Sequence, residues 1–218
     1  MEIFIIGAGG HGSEVYSYIQ DLAALDPCLR VAGFVDEHKP QGPWLDTEIL
    51  GNFEALTDSI RLRESCRYIT AVGNNQMRRA LVQKAESSGE PKLPAWSLIH
   101  PTAAIGRDVE IGMGACLAPG SVVTTRVRMG KHCIVNVNAS VSHDCVVGDF
   151  VNINPGAVVA GNAKIGDGCF IGAGATVIEN VTIGEWAVIG AGAVVVHDIP
   201  AHVTAVGVPA RVIRQHNA

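Results

Sequence analysis

Residues 147–171 read VGDFVNINPGAVVAGNAKIGDGCFI, with an aliphatic residue at every sixth position. The same spacing runs without interruption from Ile99 to Val195. A fixed period of six matches neither an α-helix nor a simple strand and is typical of a solenoid. A small or β-branched residue stands four positions after each aliphatic residue, which predicts two inward side chains in every hexad.

Glycine directly follows the aliphatic residue at positions eighteen apart, so three hexads are predicted to form one coil. These positions are Gly112, Gly130, Gly148, Gly166 and Gly184. Each coil would be a triangle of three short strands in a parallel β-helix. With neighbouring strands about 4.8 Å apart, five to six coils give a prism roughly 27 Å tall.

Composition narrows the class of protein. The 218 residues carry a net charge of −5 and show no basic stripe, which argues against a nucleic-acid partner. The segment Met1–Gly7 lacks the features of a secretion signal, and no stretch reaches membrane-span length. We therefore expect a cytoplasmic protein without a membrane partner. The six cysteines include no C-x-x-C pair, so disulfides and a zinc cluster are not expected.

Residues 1–95 have a different pattern, in which apolar strands alternate with amphipathic helices. The predicted strands are Ile3–Ile6, Val31–Val35 and Tyr68–Val72. The predicted helices include Val15–Leu22, Phe53–Ile60 and Arg78–Ser87, and a proline-rich loop is expected at Pro40–Pro43. This alternation predicts a small parallel sheet, a half-Rossmann-like α/β domain. Residues 96–218 would form the β-helix domain.

The first predicted strand ends in a glycine loop, Gly7–Gly12, that matches G-x-G-x-x-G. Asp36 and Glu37 stand at the end of the next strand, as in dinucleotide sites. Such a loop directs backbone N–H groups and a helix N-terminus at a pyrophosphate. Because the domain supplies only half of a dinucleotide fold, a nucleotide-linked sugar is the favoured ligand. A redox cofactor and a purely structural turn remain open.

Polar residues of the prism cluster in residues 136–145, and His143 is their candidate for proton transfer. It lies two positions after the inward Val141, which places it outward at a corner, and Asp144 follows it. A carboxylate on one ring nitrogen fixes the imidazole tautomer and raises its basicity. Gly161, eighteen residues later, would leave room for a thin ligand and expose an N–H to an oxyanion. A surface histidine without function is the alternative.

Together these features resemble the NeuD/PglD-like sugar acyltransferases. The glycine-loop domain followed by hexads carries the resemblance, together with Ile99–Ala103 (IHPTA), His143–Cys145 (HDC), Pro155–Ala157 (PGA) and Gly207–Arg214 (GVPARVIR). The resemblance implies a left-handed β-helix, a homotrimer, and acetyl-CoA as co-substrate in the groove between adjacent prisms. It implies His143 as general base and Asp144 as its partner, without a metal or a covalent enzyme intermediate.

The resemblance also assigns two sets of binding residues. Those implied to contact acetyl-CoA are Asn152, Gly161, Ala173 and Ala191. Those implied to contact the nucleotide-sugar are Gly9, Gly10, His11, Asp36, Glu37 and Gly73. The sequence departs from the family pattern at Asn152, where many relatives have histidine. An asparagine there can still donate a hydrogen bond, but it does not titrate. No long loop interrupts the hexads, so the N-terminal domain is expected to recognise the acceptor.

The first hypothesis is an N-acetyltransferase that uses acetyl-CoA on a UDP- or TDP-linked 4-amino-4,6-dideoxyhexose for surface glycans. An O-acetyltransferase of sialic acid or a similar sugar is the second. A zinc hydratase of the carbonic anhydrase type would need three histidines on one metal, and His132 and His143 lack a third partner. A non-catalytic sensor of sugar nucleotides, or an assembly scaffold, is the remaining alternative.

Overall fold

The structure is a computed structural model that describes residues 1–61, 65–87 and 93–216, with side chains at all of these except 60 and 61. The chain divides into two compact units, Met1–His100 and Pro101–Ala218. No helix in the described part of the chain has the length and apolar character needed to cross a bilayer.

The first unit is an α/β unit built on one sheet. The strands of this sheet are β1 (Glu2–Ile6), β2 (Arg30–Val35), β3 (Gly42–Trp44), β4 (Thr47–Gly51) and β5 (Cys66–Thr70), and the helices are α1 (Gly10–Ala23), α2 (Phe53–Arg61) and α3 (Asn75–Ser87). Strand β6 (Leu98–Ile99) is not part of this sheet. The sheet has the order β3-β4-β2-β1-β5, with all pairs parallel except β3 with β4. The predicted parallel α/β arrangement is confirmed, and the three predicted strands correspond to β1, β2 and β5.

The antiparallel β3–β4 hairpin was not predicted. Its first strand, β3, begins at Gly42, inside the segment Pro40–Pro43 that was expected to be a loop. Strand β3 has only three residues, too few to show an alternating pattern. It contains Pro43, which a sheet tolerates at its edge. Helix α3 begins three residues before the predicted Arg78, because Asn74 Oδ1 accepts the Met77 N–H at 2.9 Å and caps the first turn.

The second unit is a left-handed parallel β-helix with three flat faces, as predicted. Face 1 consists of β7 (Ala104–Ile105), β10 (Val122–Val123), β13 (Ser140–Val141), β16 (Val158–Val159), β19 (Thr176–Val177) and β22 (Val194–Val195). Face 2 consists of β8 (Glu110–Ile111), β11 (Arg128–Met129), β14 (Val146–Val147), β17 (Lys164–Ile165) and β20 (Thr182–Ile183). Face 3 includes β9 (Cys116–Leu117), β12 (Ile134–Val135), β15 (Asn152–Ile153), β18 (Phe170–Ile171), β21 (Val188–Ile189), β23 (Val203–Val206) and β24 (Arg211–Gln215).

Coils from β7 to β22 pair in strict register, each residue with the one eighteen positions later, as Val122 with Ser140 and Ser140 with Val158. The offset falls to sixteen where β21 pairs with β23, as Val188 with Thr204. From β9 onward, the second residue of each two-residue strand points inward and packs with the residue four positions later into one continuous core. On face 2 a glycine follows the inward residue of each strand, and it is needed for close stacking of the coils. A Cβ on Gly166 would lie 2.5 Å from the Glu185 backbone nitrogen.

The prediction that the aliphatic residue of every hexad is buried is wrong at the start of the prism. Ile99 and Ile105 are exposed, whereas Leu98 beside Ile99 is fully buried. Ile105 lies in the first coil, which has a neighbouring coil on one side only, so its inward side chain keeps contact with solvent. Ile99 precedes that coil and belongs to the first compact unit. The continuous core begins at Ala115.

Candidate active site

His143 lies on the edge of the prism between face 1 and face 2, in the turn from β13 to β14. Its side chain is 54% exposed. The residues at this turn in successive coils have left-handed backbone conformations, with φ between 52° and 62°, at Asp108, Arg126, Asp144, Asn162 and Asn180. That conformation turns the chain sharply, so the residue just before it stands outward. The fold therefore presents His143 to solvent at a fixed height on this edge.

Asp144, the next residue in the same turn, orients the His143 imidazole. His143 Nδ1 lies 2.8 Å from Asp144 Oδ2. Because an ionised carboxylate only accepts hydrogen bonds, Nδ1 must carry the proton in this contact. In the neutral ring, Nε2 is then unprotonated and makes no hydrogen bond within the described chain. This arrangement suits a general base, since the free lone pair points away from its carboxylate partner.

Arg126 is a third member of the cluster, and the sequence reasoning missed it. Its Nε and Nη2 donate to the two Asp144 oxygens at 2.7 and 2.9 Å. It occupies the same turn as Asp144 one coil earlier, so the eighteen-residue period was the signal that could have found it. The Arg126 hydrogen bonds, followed by the one to His143, lower the Asp144 pKa to about 2. The carboxylate is therefore ionised at neutral pH.

Gly161 lies directly above His143, as the period predicts, but it does not leave an empty channel. A Cβ at this position would stand 2.5 Å from His143 Cε1 and 2.7 Å from Nε2. The imidazole itself fills the space over the glycine, and Gly161 is buried. The room that we expected for a ligand is thus occupied by the ring, and the glycine allows the ring to adopt its observed position.

The residues predicted to contact acetyl-CoA lie on different parts of the prism. Ala173 and Ala191 are exposed at the edge between face 3 and face 1. Asn152 lies in β15 on face 3 and is only 2% exposed. Gly161 shares the edge of His143. A single chain therefore does not bring these four residues together.

The glycine loop of the first unit is open toward solvent at the carboxyl end of β1. Gly7 has a φ of 109°. A Cβ on Gly12 would collide with the Gly7 carbonyl oxygen, so both positions require glycine for close strand–helix packing. Gly9 and Gly10 are exposed with open space around their missing side chains, as is Gly73 after β5. Helix α1 begins at Gly10, and its N-cap residue provides no side-chain cap.

Asp36 organises this loop from the end of β2. Its carboxylate accepts the Ala8, His38 and Lys39 N–H groups at 2.8, 2.9 and 3.1 Å. Partial burial raises the Asp36 pKa, but the backbone hydrogen bonds and Lys39 outweigh burial and leave the pKa lowered. The Lys39 ammonium donates to the Ala8 carbonyl at 2.6 Å and lies over the Trp44 ring. The carboxylate is thus committed to holding the loop.

The other two predicted substrate residues also have protein partners. His11 Nδ1 lies 2.9 Å from Glu14 Oε2. Its Nε2 is buried and makes no hydrogen bond among the described residues. Glu37 accepts from the Lys84 ammonium at 2.6 Å. Of the six residues predicted to bind the nucleotide-sugar, the three glycines are the ones at which a side chain would meet open space.

The positions of the histidines test whether one chain could hold the metal of a zinc hydratase. Within residues 1–61, 65–87 and 93–216, no group of three His, Cys, Asp or Glu side chains is placed to hold a metal ion. His132 lies at the edge between face 2 and face 3, whereas His143 lies at the edge between face 1 and face 2. One chain thus separates the two histidines considered for a zinc hydratase.

Comparisons with known proteins follow the same division of the chain. Residues 2–85 match the family model of the PglD N-terminal domain, and residues 162–197 match that of the bacterial transferase hexapeptide with six repeats. The chain is 32% identical over 154 residues to GDP-perosamine N-acetyltransferase of Escherichia coli O157:H7, covering 67% of this chain and 64% of that protein. It is 35% identical over 115 residues to UDP-N-acetylbacillosamine N-acetyltransferase of Bacillus subtilis (strain 168), covering 53% and 50% respectively. Each match spans less than two thirds of the relative's length.

A solved structure covers nearly the whole chain. It is a histidine-to-asparagine variant of perosamine N-acetyltransferase from Caulobacter crescentus, in complex with CoA and GDP-perosamine. The two chains superpose with a TM-score of 0.89 at 32% identity, over 97% of this chain and 96% of that one. The chain therefore belongs to the NeuD/PglD-like family of hexapeptide-repeat sugar acyltransferases.

Proposed function

We propose that this protein transfers the acetyl group of acetyl-CoA to the amino group of a nucleotide-linked amino-sugar used in surface glycans. The observation that carries the proposal is the exposed side chain of His143, whose ring is oriented through Nδ1 by Asp144. Relatives named as N-acetyltransferases of GDP-perosamine and UDP-N-acetylbacillosamine support an amine acceptor. The CoA and GDP-perosamine bound to the Caulobacter protein support both substrate classes.

The chemistry requires one proton acceptor. His143 Nε2 removes a proton from the acceptor nitrogen as that nitrogen attacks the thioester carbonyl carbon. The new C–N bond forms, the C–S bond breaks, and the imidazolium returns the proton to the departing CoA thiolate. Asp144 stabilises the imidazolium because its carboxylate remains ionised beside Nδ1. No covalent enzyme intermediate is needed, since acceptor and donor react directly.

The nucleotide-sugar would bind at the glycine loop of the first unit. The exposed residues Gly9 and Gly10, together with the N-terminus of α1, suit the diphosphate. Gly73 is open at the adjacent strand end, while Asp36 holds the loop in shape. The predicted carrier was UDP or TDP, and the relatives' names add GDP, so the nucleotide base is a question for experiment.

A homotrimer would complete the acetyl-CoA site. The outward residues of face 1 are small or aliphatic, with Val122 and Val158 exposed, whereas face 2 presents charged side chains such as Arg128 and Lys164. Burying face 1 around a threefold axis would remove its apolar surface from water.

The arrangement of edges favours the same assembly. The edge that carries His143 and the edge that carries Ala173 and Ala191 border opposite sides of face 1. With face 1 turned toward the axis, each cleft between neighbouring copies lies between the His143 edge of one copy and the alanine edge of the next. Among the four residues predicted to contact acetyl-CoA, the exposed Ala173 and Ala191 carry this proposal. A cytoplasmic location stays a prediction from the sequence.

The test measures CoA release from acetyl-CoA with GDP-, UDP- and TDP-linked 4-amino-sugars, and mass spectrometry of the products. We expect an amide product, and we expect His143→Ala to reduce kcat by about 10²- to 10⁴-fold. His197→Ala is the matched control, since His197 is an exposed histidine three coils farther along the same edge. Unchanged turnover in His143→Ala would remove this residue from the mechanism. Ester products would indicate the O-acetyltransferase, and nucleotide binding without turnover would indicate a sensor.

A further inference from the structure

We propose that Arg126 is a positioning residue of this acetyl transfer, which holds the Asp144 carboxylate so that His143 keeps its proton on Nδ1 and its lone pair on Nε2. The inference rests on the proposed function for its catalytic consequence. It rests on the structure alone for the effect of Arg126 on the ring.

The geometry of the Arg126 contact is that of a two-pronged clamp. Nε binds Asp144 Oδ1 at 2.7 Å and Nη2 binds Oδ2 at 2.9 Å. The second of these oxygens is also the acceptor for His143 Nδ1. Two parallel hydrogen bonds fix the plane of a carboxylate, which a single contact leaves free to rotate. The oxygen that faces the imidazole is therefore held in place from the opposite side.

The position of Arg126 in the fold is unusual for its residue type. Of the five left-handed turn residues on this edge, the other four are Asp or Asn, which tolerate that conformation well. Arg126 lies in the coil directly beneath Asp144, and arginine is less suited than Asp or Asn to this backbone conformation. A stabilising role does not account for it, because the Arg126 side chain is 58% exposed and such surface ion pairs contribute little to folding.

The ring depends on this support because it is otherwise loosely held. His143 is exposed, and Asp144 is its one side-chain hydrogen-bond partner in the described structure. If the carboxylate turns away, neutral imidazole is free to carry its proton on Nε2 instead. A ring protonated at Nε2 cannot accept a proton from the acceptor nitrogen. Asp108 lies near Arg126 and adds to the negative charge around the guanidinium, without replacing the contact to Asp144.

The experiment compares Arg126→Gln, Arg126→Lys and Arg128→Gln in the full chain. Arg128 is the matched control, an exposed arginine two residues away that faces Glu110 rather than Asp144. Nitrogen-15 spectra of labelled histidine, with His143 assigned by its absence in His143→Ala, report which ring nitrogen carries the proton. Steady-state kinetics report kcat and the KM for acetyl-CoA.

We expect Arg126→Gln to populate both tautomers of His143 and to lower kcat about 10-fold, a part of what a general base contributes. The KM for acetyl-CoA should stay within about twofold, because the clamp acts on the base and not on substrate binding. Arg126→Lys should recover part of the loss, since lysine keeps the charge but lacks the planar fork. In an Asp144→Asn background, Arg126→Gln should cause no further loss, because the two residues act through one contact.

The inference is overturned if Arg126→Gln leaves the His143 tautomer unchanged, or if Arg128→Gln changes it equally. Loss of kcat with an unchanged nitrogen-15 spectrum would also overturn it. If the wild-type protein transfers no acetyl group to any amino-sugar, the proposed function fails. The spectra would then still decide whether Arg126 positions the ring.

Discussion

The contact between Gly161 and His143 makes the substitution Gly161→Ala a sharp test of the site. The backbone of Gly161 lies outside the left-handed region, so alanine is compatible with its conformation. The new methyl group would stand 2.5 Å from Cε1 and 2.7 Å from Nε2 of the imidazole. Because the ring is exposed on its other side, it can move away without disturbing the core. The substitution therefore displaces the base and leaves the prism intact.

The size of the effect follows from the distance. Ordinary van der Waals contact begins at 3.4 Å, so the ring must move by about 1 Å. A displacement of that size at a reacting group can reduce the rate by about 10²-fold. Because the group that must move is an exposed side chain, the free energy of unfolding should change by no more than about 0.5 kcal/mol. We expect a large loss of kcat together with a nearly unchanged melting temperature.

The assay is acetyl transfer to the best acceptor, with thermal unfolding measured on the same samples. Gly161→Ala is made in the wild-type chain and in the His143→Ala chain. If the methyl group acts by moving the imidazole, it has nothing to displace in the second background and should cause no further loss. An equal loss in both backgrounds would mean that Gly161 acts in another way, for example by contacting acetyl-CoA. Wild-type kcat in Gly161→Ala would refute the described position of the ring.

Two further predictions concern the nucleotide loop and the assembly. Asp36→Asn replaces one carboxylate oxygen by an amide N–H that cannot accept from the loop, so the KM for the nucleotide-sugar should rise about 10-fold. The KM for acetyl-CoA should stay constant in steady-state kinetics, and a parallel rise in both would contradict the assignment of this loop. Val158→Glu places a charge in face 1, where the valine is 39% exposed, and should convert a trimer to monomers in light scattering with loss of activity. Val146→Glu, at a 48% exposed valine of face 2, should leave the molar mass unchanged, and a trimeric Val158→Glu would exclude face 1 as the interface.

The architecture of the second unit follows from the sequence because one pattern is repeated in every coil. An inward aliphatic residue and a small residue four positions later recur until the core is closed, so the register is fixed many times over. The first unit offers less repetition. Its β3–β4 hairpin has one three-residue strand with a proline, and such a short edge leaves no periodic signal. The start of the prism is an exception for a related reason, since Ile105 follows the pattern but lacks a coil on one side.

In the candidate site, the positions of the residues follow the eighteen-residue period, whereas the hydrogen bonds between their side chains do not. The outward position of His143 and its neighbour Gly161 one coil later follow from counting residues. The hydrogen bonds do not, because they depend on side-chain rotamers that the backbone period leaves open. Arg126 shows the boundary between the two. Its place beneath Asp144 was available from the period, whereas its two-pronged contact required the structure.

The same counting bears on the assembly. Residues stacked at the same position of an edge in successive coils differ by eighteen, as His143 and Gly161 do, and Ala173 and Ala191 form such a pair on a different edge. A resemblance to a family assigns all four to one catalytic site without regard to edges. Because the two pairs lie on different edges of the prism, a single chain does not bring them together. A catalytic site that uses both pairs must therefore be built from two copies of the chain. Mixing His143→Ala chains with chains altered at the alanine edge should then restore activity in part of the assemblies.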